Sequence, residues 1–300
     1  MTDSLQLPAL DGANPLGFLA ALGLLTVGDR MVGEGAWRLS WTKRVVATPI
    51  LHGVSSVDEV VSAVLADRDQ WRTATVLEYP ADDVKMSQSD LRQYLMTCIG
   101  ENDDNRSIAL VVAIVAEGPV DGTGKAKPTD LYFTAGQQRF IEMARRIRDD
   151  LSPEHVTEAL ETGWRYESAL PSLMWDLADD RVYALSATNP ATTKKLTNPG
   201  AEWLAFLGLT TLPVFAAGTK LLTTGCAGSW KNGAFSWPNW ERPLSHRAAS
   251  SLIGAVGGEK RDGLEAWSVF RLFKSAIRRS DQGGYGTFAP PKTIWEAEYQ

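Results

Sequence analysis

LQLPALDGANPLGFLAALGLLTV, residues 5–27, is the stretch that decides how this chain folds. Leu5 to Leu7 alternate apolar and polar, the pattern of a short strand. Pro8 cannot donate to a sheet ladder, so the strand stops there or lies at an edge. Asp11-Gly12-Ala13 predicts a turn. The side-chain oxygen of Asn14 can take an orphan N–H at a helix start, and Pro15 suits the first helical position. The following LGFLAALGLLTV is apolar all round, which predicts a central buried helix. Gly17 and Gly23 lower its helix propensity but let another backbone come close.

The same phrase returns in the second half. FLAALGL (18–24) and WLAFLGL (203–209) share Leu, Ala, Leu, Gly and Leu at matching places. Each follows an Asn-Pro step, Asn14-Pro15 and Asn198-Pro199. Either the chain contains a structural duplication, with two helices on equivalent sheet faces, or two apolar helices look alike by chance.

Between and after these helices the pattern predicts mixed structure. Strands are expected at Trp37–Trp41, Val45–Ile50, Leu131–Thr134 and residues 181–187. Helices are expected from Ser55 to Leu65, from Ser87 or Ser89 to Cys98, from Gln137 to Leu151, and from Ser152-Pro153 to Thr162-Gly163. Ile108–Val115 is a β-branched apolar run that reads as a buried strand, with a helix as the alternative. Residues 100–107 and 121–128 read as loops. The fold class is therefore α+β, antiparallel sheets with packed helices.

The 300 residues carry a net charge of −6, unevenly spread. Residues 1–189 hold 17 Lys and Arg against 28 Asp and Glu, a net of −11. Residues 190–300 hold 13 against 8, a net of +5. That asymmetry predicts an acidic half and a basic half, as two units or one continuous domain. The basic half would face a polyanion, or the halves would dock on each other or on a partner. Leu16–Val27 is too short to span a bilayer, and the N-terminus shows no secretory pattern. The expected setting is the cytoplasm, without membrane contact. Two cysteines, Cys98 and Cys226, and three histidines argue for free thiols and against a closed zinc site.

Signatures of enzyme chemistry are missing: no HExxH, GxSxG, P-loop or CxxC occurs. The pairs Asp82-Asp83, Asp103-Asp104, Asp149-Asp150 and Asp179-Asp180 read as solvated surface carboxylates. No cofactor and no metal is expected, and no catalytic residue. The one chemical candidate is His246, which could serve as general base for RNA cleavage or hold a structural place.

EAWSVFRLFKSAIRR, 265–279, carries the binding expectation. Taken as a helix, it has an apolar face and, opposite, a stripe of Arg271, Lys274 and Arg278, with Arg279 beside it and Trp267 toward the cations. Cations beside an aromatic can neutralise phosphates and stack a base. DQGGYGTF (281–288) adds a Gly-rich loop, Gly283, Gly284 and Gly286, with Tyr285 as a stacking ring; a tight hairpin would look alike. CAGSWKNGAFSWPNWERP (226–243) holds Trp230, Trp237 and Trp240, expected to be partly buried, beside Lys231. Lys194 and Lys195 add charge.

Taken together, LPALDGANPLGFLAALGLL (7–25), NPGAEWLAFLGL (198–209), TTGCAGSWK (223–231) and GGYGTF (283–288) resemble proteins of type I-G (formerly I-U) CRISPR loci. These include accessory effector subunits and a family that accompanies the helicase–nuclease. The resemblance implies two ferredoxin-like halves, as in repeat-associated RNA-binding proteins. Its Gly-rich loop is matched loosely by Gly283, Gly284 and Gly286, and the longer glycine pattern of archetypal members is not met. The implied function is a non-catalytic subunit of the interference machinery that binds guide RNA or target DNA. Its partners would be other effector subunits or the helicase–nuclease. An RNA endonuclease using His246, and an adaptor that touches protein only, are the competing expectations.

Overall fold

The computed structural model describes residues 3–79, 82–100, 105–134, 137–161, 163–179, 196–257, 263–279 and 285–298. The expected strand at 181–187, the boundary at 189/190, and Lys194, Lys195, Gly283 and Gly284 lie outside these residues.

The opening stretch folds as its residues require. Strand β1 (Ser4–Gln6) is followed by helix α1 (Pro15–Met31). Asn14 Oδ1 accepts from the Leu16 amide at 3.0 Å, and Pro15 occupies the first turn. Strands β2 (Arg38–Trp41) and β3 (Pro49–His52) follow, and all three pair antiparallel in the order β1-β3-β2. Strand β3 thus lies between the two strands that α1 connects, the split β-α-β order of ferredoxin-like domains. It starts later than expected, because residues 43–46 are bends.

A helical layer comes next: α2 (Val57–Gln70), α3 (Thr75–Glu78), α4 (Gln88–Gly100) and α5 (Arg106–Ile114). Ile108–Val115 is thus mostly helical, the alternative of its two readings; only Val115 enters a strand. That strand, β4 (Val115–Val120), forms a hairpin with β5 (Ala126–Pro128), so of the loop expected at 121–128 only residues 121–125 are the hairpin tip and the last three are strand. The strand expected at Leu131–Thr134 is irregular backbone: Tyr132 NH closes a turn onto Thr129 O, and three of its carbonyls are used elsewhere or by side chains. Helices α6 (Phe140–Asp150) and α7 (Pro153–Glu161) fall within the two spans expected to be helical, α6 starting three residues later than Gln137.

Helix α8 (Pro199–Gly208) is the second Asn-Pro helix; Asn198 Oδ1 accepts from the Ala201 amide at 2.9 Å. It does not take an equivalent sheet face. It packs directly on α1, and the contact is reciprocal. A methyl group on Gly23 would run into the backbone carbonyl of Leu204, and one on Gly208 into that of Leu19. Gly23 matches Gly208 in the repeat and Leu19 matches Leu204, so each glycine meets the counterpart of its partner's neighbour, as around a local twofold axis. The carboxylate of Glu202, fully buried in α8, accepts from Ser172 Oγ, the Leu173 amide and Thr197 Oγ1, which fastens the 163–179 segment to the helix.

Beyond α8, strands β6 (Val214–Ala217) and β7 (Lys220–Thr223) make a hairpin. The last sheet contains β8 (Cys226–Ala227), β9 (Gly233–Trp240), β10 (Val269–Arg279), β11 (Gly286–Phe288) and β12 (Lys292–Glu296), with α9 (His246–Val256) between β9 and β10. Its order is β8-β9-β10, with β11 and β12 both paired to β10; the ferredoxin-like order is confined to β1, β2 and β3 among the described residues. Leu39 and Leu244 exchange backbone hydrogen bonds of 2.8 and 2.9 Å, joining β2 to the chain after β9. Trp240 Nε1 donates to Leu39 O and Trp237 Nε1 to Gly12 O, so both rings anchor the N-terminal layer. Buried side chains from both halves form a single apolar cluster. Among the described residues no helix is long and apolar enough to cross a membrane.

Candidate nucleic-acid interface

Residues 265–279 are not the expected helix. Glu265–Trp267 is one 3-10 turn, Ser268 takes a left-handed conformation, and Val269–Arg279 is strand β10. The segment is rich in Val, Phe and Ile, which suit a pleated surface, and β9 offers a long partner. The change of period re-sorts the cations. A helix places Arg271, Lys274 and Arg278 in one stripe. A strand alternates, so Lys274 and Arg278 share a face and Arg271 and Arg279 point the other way.

The inward face engages its cations fully. Arg271 is only 8% exposed. Its Nε and Nη2 donate to Glu296 Oε1, and its Nη1 donates to the carbonyls of Arg44 and Val45 at 3.2 Å. It therefore ties β12 to the 42–48 loop, with each guanidinium nitrogen engaged and the side chain nearly closed to a phosphate. Arg279 donates to the carbonyls of Trp230, Tyr132 and Asp130 at 3.1, 2.9 and 2.7 Å. Its guanidinium carbon lies 3.4 Å from the Trp230 ring centroid. Burial pushes its pKa down to about 10, which leaves it charged at neutral pH. Both residues are structural cations, contrary to the binding role expected for them.

The outward face is different. Lys274, Ala276 and Arg278 are exposed. Lys274 stands opposite Ser236 of β9 and opposite Lys292 of β12; Ala276 faces Ala234, and Arg278 faces Thr287. Three cations thus share a face floored by small side chains. Among the described residues no carboxylate lies within ion-pair distance of Lys274 or Lys292. Lys292 was missed in the sequence, because it joins Lys274 only through strand pairing.

Trp267 is 48% exposed but sits before the start of β10, and Lys274 lies five residues into the strand, roughly 17 Å from Val269 at about 3.3 Å per residue. Glu241, Glu265 and Glu298 line the adjoining cleft with Lys43. Those carboxylates would repel phosphate, so the tryptophan expected to stack a base is separated from the cations expected to assist it.

The other end of β10 gathers the remaining candidates. Lys231 is exposed in the turn after Trp230, and Tyr285 is half-buried. Gly286 is needed for packing: its amide donates to Phe133 O at 3.0 Å, and any side chain would overlap the Phe133 ring. Of the three tryptophans at 230–240, Trp237 and Trp240 are fully buried and Trp230 is 40% exposed. Lys85, which no sequence pattern singled out, brings its ammonium 4.6 Å from the Tyr132 ring centroid and 5.6 Å from that of Trp230. Burial holds its pKa below the ordinary lysine value, against the opposing charges of Asp83 and Asp121.

His246 opens α9 with both ring nitrogens occupied. Nε2 is 3.0 Å from Thr211 Oγ1 and Nδ1 is 3.4 Å from Asp29 Oδ2. Burial alone would raise the Asp29 pKa. Hydrogen bonds from His246 and the Gly35 amide, with the charges of His246 and Arg247, outweigh it and hold the carboxyl below its usual range. Carboxylate, imidazole and hydroxyl stand in line, but Thr211 is fully buried, so no substrate reaches that hydroxyl. The arrangement pins α9 to the end of α1.

The acidic pairs are only partly the solvated carboxylates expected. Asp83 is largely buried, accepting from Tyr132 Oη and the Val84 amide, and burial raises its pKa. Asp149 pairs with Arg72 and Arg148. Asp103, Asp104 and Asp180 lie outside the described residues. Among those described, no group of three or more His, Cys, Asp or Glu could hold a metal, and both cysteines are free thiols. No family model matches this chain, and no curated protein matches it.

Proposed function

We propose that this chain is a non-catalytic, cytoplasmic subunit of a type I CRISPR interference system, and that it binds guide RNA or target DNA on the open face of its last sheet. The observation that carries the binding is Lys274 opposite Lys292, with no carboxylate in ion-pair distance among the described residues, in a protein of net charge −6. Like charges placed directly opposite destabilise a sheet by a few tenths to about 1 kcal/mol. Phosphates laid across the two lysines and Arg278 would offset that repulsion and release counterions. The small residues between the cations let a polymer backbone lie flat on the strands. The CRISPR context is supported by the four sequence motifs alone. Effector subunits or the helicase–nuclease are the proposed protein partners. In the acidic half, Met96 and Ile99 project from α4 one helical turn apart, both more than half exposed, as a protein contact would require.

A mobility-shift titration across salt tests the binding. The wild type is expected to bind RNA or DNA with a log–log salt slope that falls by about 2 when Lys274 and Lys292 are both replaced by alanine. An unchanged slope, or no binding at low salt with the partner complex present, overturns the reading. The endonuclease alternative has the buried Thr211 and the doubly occupied His246 against it; cleavage of repeat RNA that is lost in His246→Ala would reinstate it.

A further inference from the structure

Trp230 occupies the turn between β8 and β9, where four chain segments meet. Arg279 at the end of β10 lies against its indole, 3.4 Å from the ring centroid. That guanidinium is itself held by three backbone carbonyls, two of them from residues 130–132 of the acidic half. The ring therefore stands on a fixed support in a residue that is still 40% exposed. A rigid, partly exposed aromatic loses little conformational entropy on binding.

Lys85 completes the setting. Its ammonium lies near the Tyr132 and Trp230 rings, and no hydrogen bond or ion pair to it occurs among the described residues. A half-buried ammonium balanced by ring faces, with Asp83 and Asp121 as its opposing charges, is short of a close anion. Lys85 already brings an ammonium to both rings, so the place is not a cage for an outside ammonium. Lys231, the next residue after Trp230, adds an exposed positive charge.

We infer that Trp230, Lys85 and Lys231 form a single-strand subsite, in which the indole stacks one unpaired nucleobase and the two ammonium groups contact its flanking phosphates. This rests on the nucleic-acid reading above and sharpens it. A duplex keeps its bases stacked on each other, so only an unpaired strand can offer a base face to the ring. The sheet face meets phosphates of either form; the subsite discriminates between them.

Fluorescence anisotropy on the full chain separates the two claims, with labelled oligothymidylate and a labelled duplex of equal length as probes. Trp230→Ala is expected to weaken single-strand binding about tenfold and leave duplex binding unchanged. Trp230→Phe, which keeps a ring over Arg279, is expected to retain most of the affinity. Lys274→Ala with Lys292→Ala is expected to weaken both probes. Should Trp230→Ala fail to fold, Lys85→Gln carries the test: loss confined to the single strand supports the subsite, and unchanged affinity overturns it. Equal losses on both probes in Trp230→Ala overturn the subsite while leaving the sheet face standing. A selective Trp230 effect without a Lys274 and Lys292 effect supports the subsite and overturns the sheet face. A wild type that binds neither probe overturns both.

Discussion

Strand β10 presents two faces made from neighbouring residues, and they treat positive charge in opposite ways. On the inward face, Arg271 and Arg279 are surrounded by acceptors and aromatic rings. On the outward face, Lys274 looks across at another lysine. The same composition therefore yields structural cations on one side and, at Lys274 and Lys292, cations with no described carboxylate in ion-pair distance on the other. Membership of a basic half says little about a residue's role. Its parity in the strand, and what the next strand brings opposite, decides it.

The largest expected difference between the faces is in stability. Arg271→Ala removes a nearly buried guanidinium that joins β12 to the 42–48 loop, and should destabilise the protein by about 2–3 kcal/mol in urea unfolding. Lys274→Ala should change stability by less than about 0.5 kcal/mol, as for most exposed sites. Equal effects from the two would mean that the faces do not differ as described. Next in size is Ser275→Ala. Ser275 is fully buried on the inward face and donates from Oγ to Ala289 O at 2.6 Å. Its loss should cost about 1 kcal/mol in the same measurement. No loss would show that this side of the strand is less tightly specified than its burial implies.

What was legible in the sequence was local. Asn14 and Asn198 cap their helices because a side-chain oxygen finds an amide two or three residues on. Gly23 predicted a close backbone, and the backbone it meets is the repeat's other copy. Residues 265–279 misled because their apolar positions satisfy the helical period nearly as well as the strand period. The pairing with β9 settled the matter, and that partner lies 29 to 44 residues upstream, from Val269 opposite Trp240 to Ile277 opposite Gly233. The candidate site was half legible for the same reason. Lys274, Arg278 and Lys231 stand out in a basic segment, whereas Lys292 and Lys85 acquire meaning only from the strands and rings that topology places beside them. Trp230 was visible as one of three tryptophans, but nothing local distinguished the exposed ring from its two buried neighbours.

The smallest expected effect is the one in which stability and binding move in opposite directions. Lys274→Glu converts the like-charged pair with Lys292 into an opposite-charged one at the same register. Cross-strand pairs of this kind contribute roughly 0.2–1 kcal/mol, so the variant should unfold at slightly higher urea than the wild type, and the gain should shrink as salt screens the pair. The same substitution places a carboxylate where a phosphate would lie. Nucleic-acid affinity should therefore fall by more than it does in Lys274→Ala. A residue kept for the sheet's own sake would show the reverse, with replacement lowering stability and leaving affinity alone. A rise in stability together with a loss of affinity is the pattern of a sheet whose repulsion is offset when it is loaded with a polyanion.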